Sequence, residues 1–134
     1  MKPKILVTRK ISDIAEQQLA KNFDVTLNAD DKAIQYENLA KTCNQYDGVI
    51  AASWDKFDTN FFNTMNGKLK IIASIAVGYD NIDIDSAKNK EIIITNAPNV
   101  LNDAVAETTL LLMLGAARRA YEGLTLVKSG KWKD

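Results

Sequence analysis

Short runs of β-branched and other apolar residues recur along the first part of the chain, at Ile5-Leu6-Val7-Thr8, Val25-Thr26-Leu27, Val49-Ile50-Ala51-Ala52, Ile71-Ile72-Ala73-Ser74-Ile75 and Ile92-Ile93-Ile94-Thr95. Each is short and continuously apolar, and its side chains suit a pleated surface, so the pattern predicts five strands. Between them the apolar positions move to helical spacing. Ile11, Ile14, Ala15 and Leu19 mark a first helix, with Asp13 and Glu16 placed as an N-cap and its N3 carboxylate partner. Tyr36, Leu39, Ala40 and Cys43 repeat the i, i+3, i+4, i+7 pattern in a second. Asp58 can cap a third whose Phe61, Phe62 and Met65 face inward, and Gly67 can end it. Asp83 to Lys90 leaves room for about two further helical turns.

Alternating strands and helices of this kind, with strands apolar on both faces, predict an α/β fold: an open, parallel, five-stranded flavodoxin-like sheet with helices on both faces. Ligands of such sheets bind beyond the carboxyl ends of the strands. That places Arg9 and Lys10, Ser53 to Phe57, and Ala76 to Asn81 where a site would form.

The texture changes at Asn96-Ala97-Pro98-Asn99. Proline holds Ala97 extended and Asn99 tolerates a left-handed turn, which predicts a hinge. From Leu101 to Tyr121 one long helix is expected, capped by Asn102, with Leu110, Leu111, Leu112, Met113 and Leu114 around its whole circumference. A helix apolar all round wants neighbours on several sides. Residues 1–99 are therefore expected to form one domain, and residues 100–134 a long interface helix that opens a second.

Composition narrows the chemistry. Apolar residues make up 46% of the 134 positions and charged residues 25%, as in a soluble globular protein. Seventeen basic and seventeen acidic residues cancel without a basic block, so nucleic acid is not an expected partner. The apolar stretch Ala104 to Ala117 is interrupted by Glu107 and falls short of the roughly 20 residues that span a bilayer, so no membrane partner is expected either. Cys43 is the sole cysteine and there is no histidine, so no metal site is expected and reducing, cytoplasmic surroundings fit. Met1-Lys2-Pro3-Lys4 leads straight into a β-rich run instead of a signal peptide, and no export is expected.

Three blocks of sequence carry a resemblance. Ala76-Val77-Gly78-Tyr79-Asp80-Asn81-Ile82-Asp83, then Thr95-Asn96-Ala97-Pro98-Asn99-Val100-Leu101-Asn102-Asp103-Ala104-Val105-Ala106-Glu107, then Gly115 to Ala120 with Ser129-Gly130-Lys131-Trp132, resemble the D-isomer-specific 2-hydroxyacid dehydrogenase family in order and spacing. The ending from Arg118 to Trp132 is most similar to its glyoxylate/hydroxypyruvate reductase branch. Glu91 and Asn99 stand where the family often has glycine, and Asn102 where threonine is common.

The resemblance implies an oxidoreductase that reduces a small 2-oxo acid with NADH or NADPH, its substrate carboxylate held by backbone N–H groups of a tight turn at Val77 and Gly78. Gly78 is expected to allow a backbone conformation closed to other residues and a close approach to the ligand. Ser53 and Trp54 are candidates for the pocket wall, with an ordinary loop the competing explanation. Val105 is a candidate cofactor contact near the nicotinamide end. Asp80, Asn81 and Asp83 are read as helix caps, Glu107 as a structural pair with Asp103, and Arg118 and Arg119 as dipole partners and interface residues. A homodimer through the helix 101–121 is implied.

No catalytic residue is assigned. The family's substrate arginine, proton-donating histidine and orienting glutamate follow a Gly-x-Gly-x-x-Gly loop, whereas the six glycines here never approach that spacing and histidine is absent. The chain is therefore expected to be inactive by itself, an N-terminal part cut off before the catalytic machinery. Two other readings compete: a non-enzymatic binding or assembly module of the same fold, and a receiver-like domain. The latter needs carboxylates at strand ends, where Thr8-Arg9-Lys10 and Ser53-Trp54 stand instead.

Overall fold

The computed structural model describes residues 1–133; Asp134, the last residue of the expected second stretch, lies outside them. Five strands, β1 (Lys4–Val7), β2 (Asp24–Thr26), β3 (Gly48–Ala51), β4 (Ile71–Ser74) and β5 (Ile93–Thr95), form one sheet in the order β2-β1-β3-β4-β5. Every pairing is parallel. This is the flavodoxin-like order, whose direction reverses between β1 and β3. The crossovers are α1 (Asp13–Asn22), α2 (Tyr36–Cys43), α3 (Thr59–Thr64) and α4 (Ile84–Asn89).

Parallel register sets Leu6 beside Val49, Val49 beside Ile72 and Ile72 beside Ile94, so these side chains share one face of the sheet. They join Leu39, Ala40 and Cys43 of α2, Phe61 and Phe62 of α3 and Ala87 of α4 in one apolar core. Phe57, Phe61 and Phe62 meet edge to face at 4.9 and 5.1 Å, the arrangement their ring quadrupoles favour. Burial pushes the Cys43 thiol up to about 12, so it behaves as a small apolar core residue.

The opposite face is covered more thinly. Ala15 and Leu19 of α1 and Phe23, the residue that follows it, lie half-buried, while Ile75 and Ile93 are exposed. Ile14, expected to face inward, is 71% exposed: α1 sits on this face through an i, i+4 row, and Ile14 falls off that row.

Local chemistry corrects several expected boundaries. Ser12, not Asp13, caps α1, its hydroxyl accepting from Ala15 N–H at 3.4 Å. Asp13 then lies in the first turn, where it pairs with Lys10 at 2.8 Å, and Glu16 also pairs with Lys10 at 2.9 Å. Asp58 caps α3 and Asp83 caps α4, each carboxylate accepting from an N–H three residues on. Gly67 does not end α3, which already closes at Met65. Its glycine is required by close approach: an added Cβ would lie 2.3 Å from the Asn44 carbonyl oxygen. Asn44 Oδ1 accepts in turn from Asn66 and Gly67 N–H at 3.1 and 2.9 Å.

Backbone contacts divide the chain into two compact units, Met1–Pro98 and Asn99–Asp134. Asn99 has φ 66° and Glu91 φ 56°, the left-handed conformation at both places where the resembled family often has glycine. The second unit is not one helix. α5 (Asn102–Ala117) and α6 (Ala120–Lys128) are separated at Arg119, which adopts φ 53°. Leu101 precedes α5 without a side-chain cap, and Asn102 Nδ2 donates back to Asn99 Oδ1 at 3.3 Å. Leu110 to Leu114 are 59–69% exposed, as five successive residues at 100° intervals encircle a helix. Among the described residues no helix is long and apolar enough to cross a membrane.

Candidate functional site

The reversal between β1 and β3 is the usual place for a ligand crevice in this topology. Here the chain fills it with its own side chains. Thr8, buried at the end of β1, donates its hydroxyl to the buried carboxylate of Asp55 at 2.5 Å, and Ala52 N–H donates to the same oxygen at 2.9 Å. Outside this pair Arg9 forks onto Asp31 through Nε at 2.8 Å and Nη2 at 3.1 Å. The hydrogen bond to Arg9 holds the Asp31 carboxyl below the usual carboxylate range, with help from Lys10 N–H. The Arg9 guanidinium also lies 5.1 Å from the centre of the Trp54 ring. Trp54 is thereby stacked on a cation that is itself clamped, although it stays 64% exposed.

The open cleft is displaced by one strand, to the carboxyl ends of β3 and β4. A volume of about 500 Å³ is lined by Ser53, Trp54 and Lys56 after β3 and by Ala76, Gly78, Asp80 and Asn81 after β4. A larger recess of about 660 Å³ lies at the starts of β1, β3 and β4, away from the loops. The two loops of the cleft are fastened together. Asn81 Nδ2 donates to the Asp55 carbonyl oxygen at 2.7 Å, Phe57 N–H donates to the Asn81 carbonyl oxygen at 2.8 Å, and Asp83 N–H donates to the Phe57 carbonyl oxygen at 2.8 Å.

The β4 loop has an asymmetric backbone. On the side of β5, Ala97 N–H donates to the Ala76 carbonyl oxygen at 3.0 Å, and Asn96 Nδ2 donates to the Val77 carbonyl oxygen at 2.8 Å. Peptide units here are trans, so the N–H of each points opposite to its C=O. The N–H groups of Val77 and Gly78 therefore point away from the donors that hold those carbonyls. Among the described residues neither of them donates to any protein acceptor. Two adjacent N–H donors without acceptors, beside a cleft, can bind an anionic oxygen.

One expectation about Gly78 fails. Its φ lies outside the left-handed range, and an added Cβ would meet only Asp80 Oδ2, at 3.5 Å. Conformation does not demand glycine here; the space that a side chain would fill is the cleft itself. Charge in the cleft is mixed: Lys56 Nζ lies 3.0 Å from Asp58, and Asp80 adds a second carboxylate on the β4 side.

Of the residues singled out from sequence, Ser53, Trp54 and Gly78 line one cleft, and Val77 precedes Gly78 in the same loop without lining it. Val105 belongs to the other unit and is 60% exposed on α5. Asp80 and Asn81 do not cap α4, which is the task of Asp83 alone; they line the cleft instead. Asp55 and Lys56 fall inside the stretch Ser53 to Phe57 expected at the site but carried no individual role in the sequence, and Asn96 was read only as part of the hinge. A buried Asp55 next to exposed Trp54 and Lys56 has no periodic signature, and the partner of Asn96 lies nineteen positions away.

A family model for the D-isomer specific 2-hydroxyacid dehydrogenase catalytic domain matches residues 5–127. The chain belongs to this family. It is 39% identical over 133 residues to the glyoxylate reductase of Pyrococcus horikoshii and 40% identical over 133 residues to that of Thermococcus litoralis, covering 99% of this chain in each case. The chain spans about 40% of the length of these relatives. Among solved structures, a glyoxylate reductase from Paecilomyes thermophila superposes with a TM-score of 0.82 at 26% identity, covering 98% of this chain and 43% of that one. The NAD+-bound 3-phosphoglycerate dehydrogenase of Entamoeba histolytica gives 0.71 at 26% identity, covering 90% and 41%. The family thus agrees with what the three sequence blocks implied, and the fold class with what the alternation of strands and helices predicted.

Proposed function

We propose that this chain is the substrate-binding part of an enzyme that reduces a small 2-oxo acid, glyoxylate or hydroxypyruvate, to the D-2-hydroxy acid with NADH or NADPH. The observation that carries this is the pair of unengaged N–H groups at Val77 and Gly78 beside the cleft. A 2-oxo acid presents a carboxylate next to its carbonyl, and paired donors fix such a group in position and orientation. Ser53 and the stacked Trp54 then form the wall that limits the substrate's size and excludes water. The family and the glyoxylate reductase relatives support the same reading.

The nicotinamide cofactor would supply hydride. The described residues cannot hold it by themselves: none of the six glycines forms a pyrophosphate-binding loop, and there is no histidine to donate a proton. The chain's own contribution is binding and orientation, and by itself it is catalytically silent. In this reading Met1–Pro98 is the substrate domain and Asn99–Asp134 opens the nucleotide-binding domain, with Val105 as a cofactor contact. The exposed apolar surface of α5 is the basis for a homodimer, and the cytoplasm is its compartment.

The test is an assay of the protein at full family length. Oxidation of NADH or NADPH by glyoxylate or hydroxypyruvate is expected; no turnover with any small 2-oxo acid would refute the reading.

A further inference from the structure

The two peptide units that present the N–H pair are held by different means. The Ala76–Val77 unit is fixed by a backbone bond from Ala97, which any residue except proline can supply at that position. The Val77–Gly78 unit has no backbone partner on its carbonyl. Among the described residues its one donor is the side-chain amide of Asn96, at 2.8 Å. Because the acceptor is a carbonyl oxygen, only the NH2 end of Asn96 can face it.

A peptide unit next to glycine turns easily, since no Cβ resists the rotation. Its C=O and N–H turn together as one rigid plane. Whatever fixes the Val77 carbonyl oxygen therefore also aims the Gly78 N–H. We propose that Asn96 is a positioning residue: it locks the Val77–Gly78 plane so that Gly78 N–H stays directed at the substrate carboxylate. Released from Asn96, the plane can reverse and present a carbonyl oxygen where an anion must bind. The proposal rests on the reading of Val77 and Gly78 as the carboxylate site.

Shape and donor function can be separated. Asn96→Leu keeps roughly the outline of the side chain and adds no charge but removes its donor, while Asn96→Ala removes both. A packing role would survive the first substitution. In the protein at full family length, both variants should raise the KM for the 2-oxo acid and the inhibition constant of oxamate roughly 3- to 10-fold, the value of one net hydrogen bond. The KM for NAD(P)H should stay unchanged, and kcat should change less than the oxo-acid KM. Gly78→Val in the same assay tests the reading beneath.

A raised KM in Gly78→Val beside unchanged values in both Asn96 variants would overturn the positioning role and leave the carboxylate site intact. Unchanged values in all three variants would remove both. On the 134-residue chain, nitrogen-15 relaxation gives a ligand-free check. The Gly78 amide should be as ordered as β4 in the wild type and mobile on the ps–ns timescale in Asn96→Ala. A Gly78 amide equally rigid in both would also overturn the proposal.

Discussion

The side-chain amide of Asn81 donates to the main-chain carbonyl oxygen of Asp55 at 2.7 Å, and this bond fastens the β4 loop to the β3 loop across the floor of the cleft. Asp55 is anchored in turn by the Thr8 hydroxyl, so the segments that follow three adjacent strands act on one site. Asn81→Ala is expected to cost about 1–2 kcal/mol, because a half-buried carbonyl loses its donor. Urea denaturation should show a lower midpoint at unchanged m-value. No change in midpoint would mean that the loops do not depend on this bond.

Gly78→Val in the protein at full family length should raise the KM for the 2-oxo acid while the KM for NAD(P)H stays within a factor of about two. The cause is occupancy, since the position tolerates a Cβ sterically but the β-branched side chain would project into the space beside the N–H pair. Because a Cβ at this position meets only Asp80 Oδ2, at an ordinary 3.5 Å, the melting temperature should hardly move. A large loss of stability would place the role of Gly78 in folding instead.

Acid sensitivity follows from the Asp58 cap. The hydrogen bond from Tyr36 at 2.6 Å, reinforced by Phe61 N–H, lowers the Asp58 carboxyl from 3.8 to about 2. A carboxyl lowered in the folded state stabilises fully above its unfolded value and loses that contribution as pH falls through its folded one. Its contribution is therefore present above about pH 4 and vanishes toward pH 2. Asp58→Ala should cost about 1–2 kcal/mol at neutral pH and flatten the stability profile between those limits. A variant profile parallel to that of the wild type would contradict this.

Two glycines should respond oppositely to alanine. Gly67→Ala drives a Cβ to within 2.3 Å of the Asn44 carbonyl oxygen and should destabilise by about 1–3 kcal/mol. Gly115→Ala, inside α5 with nothing within 4 Å, should stabilise the helix by about 0.5–1 kcal/mol. Thermal melts followed by far-UV circular dichroism check both. Equal effects would mean that close approach to Asn44 is not what selects glycine at position 67.

The 134-residue chain should bind neither NADH nor NADPH measurably and should self-associate. Leu110 to Leu114 expose apolar surface on every side of α5, and such a surface drives association when left uncovered. Calorimetry and analytical ultracentrifugation test the two halves. Micromolar cofactor affinity in a strictly monomeric sample would sink them.

The five strands, the order of the helices and the caps at Asp58 and Asp83 were legible in the sequence, because periodicity and capping act over only a few residues. So was the left-handed Asn99, where proline and asparagine limit the backbone directly. The N-cap at Ser12 and the break at Arg119 were not: Ser12 and Asp13 both suit a cap, and Arg119 has no intrinsic preference for φ 53°. The family motif drew attention to Val77 and Gly78, but it could not reveal that Gly78 is conformationally ordinary. Tertiary structure alone decided which donors are free. Ala97 and Asn96 engage the carbonyls of Ala76 and Val77 only because β5 pairs beside β4, and Thr8 meets Asp55 only because β1 pairs beside β3. Sequence determines what short stretches of backbone prefer; the assembled sheet determines which distant polar groups satisfy one another and which N–H groups remain to receive a ligand.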